Sequence, residues 1–186
     1  MNSVFTLAGE GLLAYFRGEL VPGVLGSPDM LQLAYPGMDG EFRLGLCLYE
    51  LEEVRPHGPP GLERVGEDVH KLPDLLLALR FLAFANRKAA FGSMEAGDEL
   101  LLLEGALRAV HGCPGLELEG RRLRLSLQPL TQGEKASLWQ SLHAPLQPAA
   151  YFTLEPVPLP AARIRRVPPV REVRASAAAL GNGGRP

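Results

Sequence analysis

Hydrophobic positions along this chain recur with two different periods, and the switches between them lay out its elements. Val4, Leu7, Ala8, Leu12, Tyr15 and Phe16 follow three- and four-residue steps, which predicts an amphipathic helix over Val4 to Leu20 although Gly9 and Gly11 interrupt it. Pro22, Gly23, Gly26 and Pro28 end that helix, and Pro36-Gly37 with Asp39-Gly40 bound a short segment from Met30 to Tyr35. Phe42, Leu44, Leu46 and Leu48 then alternate with Arg43, Gly45, Cys47 and Tyr49, a period of two that sets one apolar face of a strand on a core. From Arg55 to Lys71 no period survives among Pro56, Gly58, Pro59, Pro60 and Gly61, so a mobile loop is expected there. Leu75 to Ala85 is apolar at both parities apart from Arg80. A strand buried on two faces and a short helix both fit that run.

The second half has sharper punctuation. Asp98 precedes Leu100, Leu103, Leu107 and Val110 at helical spacing, and Gly112 with Pro114 supplies a stop, so a helix from about Glu99 to His111 is expected. Leu116 and Leu118, then Leu123, Leu125 and Leu127, alternate with charged residues around Glu119-Gly120, which reads as a strand pair or extended edge. Thr131 and Glu134 stand three apart, the spacing at which each side chain satisfies the other's backbone N–H at a helix start. Leu138, Trp139 and Leu142 form the apolar stripe of that helix, Pro145 and Pro148 prevent its continuation, and Ala149 to Leu154 reads as a strand. Pro156, Pro158 and Pro160 recur every second residue and Pro168-Pro169 follow, a spacing that favours extended or polyproline II backbone excluded from the centre of a sheet. There is no internal repeat.

The order Leu130, Thr131, Leu138-Trp139, Pro148, Ala149, Tyr151, Leu154 resembles the end of the cap, or tail-terminator, family of extracellular contractile injection systems, which are phage-tail-like particles. Gly26-Ser27-Pro28 leading to Leu44–Tyr49, and Leu75 to Asn86 with its Ala85-Asn86 ending, resemble earlier parts of that family. The likeness covers roughly residues 1 to 160. It implies an α/β (α+β) fold, a mostly antiparallel sheet flanked by helices, and tips Leu75 to Ala85 towards strand. The likeness implies a tail-terminator-like domain over 1–159; proline spacing and charge, not the likeness, make 160–186 a basic, Pro/Arg-rich C-terminal arm that is extended or disordered. The implied role is a structural cap: six copies in a ring on the last layer of inner tube and contractile sheath, ending polymerisation and holding sheath to tube. Sheath and inner-tube proteins are the implied partners, with no cofactor, metal or catalysis required. The Arg55 to Lys71 stretch is richer in Pro and Gly than the family pattern.

Composition bounds these expectations. A length of 186 residues suits one core, and 46% hydrophobic with 22% charged residues is the balance of a globular protein. Cys47 and Cys113 fit reduced thiols better than a disulfide framework. No apolar run is long enough to cross a bilayer and the N-terminus lacks a signal-peptide pattern, so no membrane and a cytoplasmic location are expected. Charge is divided unevenly. Over 160–186, Arg163, Arg165, Arg166, Arg171, Arg174 and Arg185 face Glu172 alone, a balance of +5, while the other 13 basic and 20 acidic residues leave −7. An acidic body with a basic arm suits attachment to another surface.

Candidate chemistry is thin by comparison. His57, His70, His111 and His143 are isolated from acidic partners at catalytic spacing, and Gly181-Asn182-Gly183-Gly184 lacks the Lys-Ser or Lys-Thr of a phosphate loop. Glu50, Glu52 and Glu53 read as a solvated strand end. Trp139 has two readings, core side chain or interface anchor. The arginine tail also has two readings, a solubilising, flexible end or a docking arm; in the second, Arg163, Arg165, Arg166, Arg171 and Arg174 are the candidate docking residues, and Arg163-Ile164-Arg165-Arg166-Val167 alternates so that it can pair with a strand edge. The alternative to a cap is an accessory binding module whose basic arm contacts nucleic acid or an acidic partner protein. An acidic body and only 6% aromatic residues weigh against nucleic acid.

Overall fold

The structure, a computed structural model, describes residues 3–54, 63–64, 69–89, 94–161 and 164–166, with the side chains of 63–64, 69–70 and 164–166 excepted. Helix α1 (Val4–Leu20) starts where the Ser3 side chain accepts from Phe5 N–H, and Gly9 and Gly11 lie inside it. Gly9 is there for space: a Cβ at this position would stand 2.9 Å from Leu33 Cδ1. A 3-10 turn (Pro28–Met30), capped by Ser27, leads into strand β1 (Leu31–Leu33), and strand β2 (Leu44–Glu53) runs four residues beyond the expected alternation. Two short strands, β3 (Glu63–Arg64) and β4 (Val69–Lys71), precede β5 (Leu75–Ala85). Helix α2 (Ala96–Gly112), the hairpin of β6 (Leu116–Leu118) and β7 (Arg121–Leu127), helix α3 (Gln132–Ser141), β8 (Ala149–Leu159) and β9 (Ile164–Arg166) complete the order.

The chain divides into two compact units, residues 1–57 with 74–160, and residues 58–73 with 161–186. The first holds a six-stranded sheet in the order β1-β2-β5-β8-β7-β6, with β1 parallel to β2 and every other pair antiparallel. Strand β5 lies between β2 and β8 and is buried on both faces, which is why its sequence shows no period. Leu79, Phe81 and Ala83 point to one side, where Leu12, Phe16 and Leu20 of α1 and Leu102, Ala106 and Ala109 of α2 cover them. Phe152 of β8 is stacked between Phe16 and Phe81, with ring centroids at 5.6 and 5.8 Å. Burying each such side chain contributes about 1.5–3 kcal/mol. Leu82 and Phe84 point to the other side and pack with Phe42, Cys47, Tyr151 and Trp139.

Three expectations need correction. The buried stripe of α2 is Leu102, Leu103, Ala106, Ala109 and Val110, whereas Leu100 and Leu107 are exposed. Small residues let α1 approach closely on that side: a Cβ at Gly105 would lie 2.9 Å from Leu20 Cδ2. The helix also begins earlier, at Ala96 after Glu95, so Asp98 lies in its first turn and accepts from Arg43 Nη2 at 2.6 Å. Pro156 and Pro158 belong to β8, an interior strand. They are accommodated because β7 pairs with β8 only as far as Glu155, leaving β5 as the neighbour at Val157 and Pro158. Within the expected 55–71 loop, β3 and β4 are strands, too short to display a period of two. Together with β9 they form the second unit's sheet, in the order β3-β4-β9.

Candidate assembly surface

Helix α3 is fixed to the sheet by its start and by one buried side chain. Thr131 Oγ1 accepts from Glu134 N–H at 3.3 Å and Glu134 Oε2 accepts from Thr131 N–H at 2.7 Å, so the expected reciprocal cap is present. Hydrogen bonds from the Thr131 side chain and backbone hold the Glu134 carboxyl below its ordinary range. Eight residues on from Thr131, Trp139 is only 1% exposed, and its Nε1–H donates to Tyr151 Oη at 2.8 Å. That burial supports the core reading of Trp139. Lys135 Nζ lies 5.6 Å from the centroid of the same Tyr151 ring, within cation–π range.

Beside α3 the sheet presents polar groups. Tyr49 Oη donates to Gln128 Oε1 at 2.9 Å, and Thr153 Oγ1 reaches the same oxygen at 3.5 Å. Burial pushes the Tyr49 phenol up to about 12, an effect that Arg80 beside it opposes. Arg80 donates to Glu50 Oε2 at 3.2 Å and to Glu52 Oε2. This pairing is not legible from residue spacing, because Arg80 stands in a run that otherwise reads as core.

Two apolar surfaces flank this face. A groove of about 700 Å³ between α2 and the segment 146–151 is lined by Leu100, Leu103, Leu107, Lys135, Leu146 and Tyr151. On the β1 side, a cavity of about 290 Å³ is lined by Phe5, Leu33, Tyr35, Met38, Leu46 and Leu48. Spacing could not separate the exposed leucines of α2 from its buried ones, since both recur at three and four residues. Of the candidate docking arginines, Arg165 and Arg166 lie in β9, where Arg166 opposes Val69 and Arg165 opposes His70 of β4. The strand edge that the basic segment pairs with is therefore in its own chain. Arg163, Arg171 and Arg174 lie outside the described residues, as do Pro168-Pro169, His57 and Gly181 to Gly184. Among the described residues there is no group of His, Cys, Asp and Glu arranged to hold a metal ion, and no helix is long and apolar enough to cross a membrane.

Comparison with known proteins places this geometry. The family described as Pvc16 N-terminal domain matches residues 11–172. Among solved structures, the PVC sheath/tube terminator of an extracellular contractile injection system, in its extended state, is similar with a TM-score of 0.64 at 14% identity; the match covers 99% of this chain and 66% of that one. The tube-terminating cap of the anti-feeding prophage is similar with a TM-score of 0.60 at 13% identity, covering 95% of this chain and 62% of that one. At these identities the likeness is one of fold, and the chain spans less than two thirds of either protein's length. No curated protein matches the sequence.

Proposed function

We propose that this chain, which belongs to the Pvc16 N-terminal domain family, is a structural cap that ends the inner tube and contractile sheath of a phage-tail-like injection particle and holds the two together at the distal end. The observation that carries this reading is the family match joined to a fold shared, over nearly the whole chain, with a sheath/tube terminator and a tube-terminating cap. The physical task is geometric. A polymer with a fixed repeat exposes unpaired edges at its growing end, and a closed ring that matches the last layer and offers no further repeat stops growth. Six copies form that ring, its partners are the sheath and tube subunits, and the chain acts inside the cytoplasm where the particle is built. The role needs no reaction. The ionisable groups on the described sheet face fit it: Arg80 is bonded to Glu50 and Glu52, and Arg124 to Glu155 at 3.1 Å.

Within this reading the arm over 160–186 is a contact element. Its arginines 163, 165, 166, 171 and 174 meet acidic groups on a neighbouring component. Electron microscopy of particles assembled without this chain tests the proposal. Uneven lengths and sheaths detached from tubes are expected, and particles of normal length with intact ends would overturn it.

A further inference from the structure

We propose that the open side of β2, from Leu48 to Glu53, receives an extended strand from a partner protein, apolar where it meets the cavity beside Leu33 and basic where it passes Glu53. The proposal deepens the capping reading and rests on it for the partner's biological identity, though not for the chemistry. Strand β1 covers only the start of β2: Leu31, Gln32 and Leu33 oppose Leu44, Gly45 and Leu46. Among the described residues, Ala34 N–H donating to the Leu46 carbonyl at 3.0 Å is the last backbone bond on this side. Beyond it, no described strand lies beside β2 on that side. Backbone alternation then says which groups face outward. Leu46 faces β1, so Leu48 faces the same way; Val54 N–H donates to Leu76 O on the β5 side, so past the register shift between Leu48 and Glu50, Leu51 and Glu53 turn outward.

Sheets usually guard such an edge with charge, and this one is not guarded at its entrance. Leu31-Gln32-Leu33-Ala34-Tyr35 carries no charge, and Leu33, Tyr35 and Met38 are 45%, 61% and 46% exposed. The opposite edge of the sheet, β6, carries Glu117 and is followed by Glu119. The cavity of about 290 Å³ opens where the chain of β1 leaves β2, so a strand laid along β2 would place one side chain into it. Further along, Glu50, Glu52 and Glu53 are exposed and, among the described residues, Arg80 bonds to the first two and not to Glu53. Backbone pairing supplies affinity and the cavity supplies selection, as in other strand additions. The occupant is not the β2 edge of a second copy, because pairing two such edges would bring the glutamates of both together.

The test uses the full chain and a fluorescent short peptide alternating arginine and valine, with an alternating glutamate and valine peptide as control. The basic peptide is expected to bind and to slow amide exchange at Leu48, Leu51 and Glu53, and the acidic one is not. Leu51→Pro removes an outward donor without touching the β5 ladder, and should weaken binding about tenfold. Glu53→Lys should weaken it and reduce its salt dependence. No binding, protection at residues away from the β2 edge, or unchanged affinity in both variants would overturn the proposal. If Leu51→Pro does not fold, Glu53→Lys and the exchange map still decide it. Its failure is separable from that of the capping reading, since particle length on loss of the chain is measured without the peptide.

Discussion

The hydrogen bond from Trp139 to Tyr151 joins two side chains inside the second core, and apolar residues surround the indole. Trp139 is 1% exposed and Tyr151 6%, and the bond joins α3 to β8 at 2.8 Å. Tyr151→Phe removes the acceptor while keeping the ring, so the indole N–H is stranded among Phe42, Leu82 and Phe84. Leaving such a donor unpaired costs about 1–3 kcal/mol. The expected outcome is a loss of that size in urea denaturation, with the double substitution Trp139→Phe/Tyr151→Phe costing less than the two single losses together. Additive losses would mean that the two groups do not depend on each other. Burial also holds the Tyr151 phenol above its ordinary value, a shift that the bond from Trp139 opposes, so the hydroxyl is present as a neutral acceptor near neutral pH.

At the scale of elements, two helical glycines with similar sequence surroundings have opposite meanings. Gly105 of α2 faces α1: a Cβ there would meet Leu20 Cδ2 at 2.9 Å and the Val24 methyls at 3.2 and 3.3 Å. Gly11 of α1 meets nothing within 4 Å. Gly105→Val is therefore expected to destabilise by about 1–3 kcal/mol through overpacking, whereas Gly11→Ala should stabilise by up to about 1 kcal/mol through helix propensity. Thermal melts of the two variants should move in opposite directions. The same contrast explains what was legible in the sequence. Helix α1 was readable to both ends because its stripe uses large side chains, and the Thr131–Glu134 cap because it is a local interaction at fixed spacing. Strand β5 needed the family resemblance, since burial on both faces erases period. The buried face of α2 was misread because its packing uses Gly105, Ala106 and Ala109 while Leu100 and Leu107 remain outside. The surface features were the least legible: the Arg80 pairs, the α2 groove and the open edge of β2 each depend on residues brought together from separate elements.

On the scale of the whole molecule, the core residues and the basic balance lie on opposite sides of residue 160, and this allows the arm to be tested apart from the fold. Every buried member of both hydrophobic clusters lies before residue 160, in the unit formed by 1–57 and 74–160. The basic segment contributes β9, whose described pairing is to β4 within the other unit. A chain ending at Pro160 loses the +5 balance and leaves β4 without that partner, but it removes no described core residue. Its melting midpoint should consequently fall by less than about 4 °C, the shift that about 1 kcal/mol produces in a domain of this size. A larger drop would mean that 161–186 completes a core, and the boundary at 159/160 would have to be abandoned. If the midpoint holds, the truncated chain separates shape from attachment. A cap that relies on the arm's arginines should then fold normally yet leave particles with loose or uneven ends. The effect should be mimicked in the full chain by replacing arginines 163, 165, 166, 171 and 174 with glutamine, because the contacts ascribed to them are charge-assisted. Normal particles from both variants would move the attachment to the body, where the α2 groove and the β2 edge are the surfaces left to carry it.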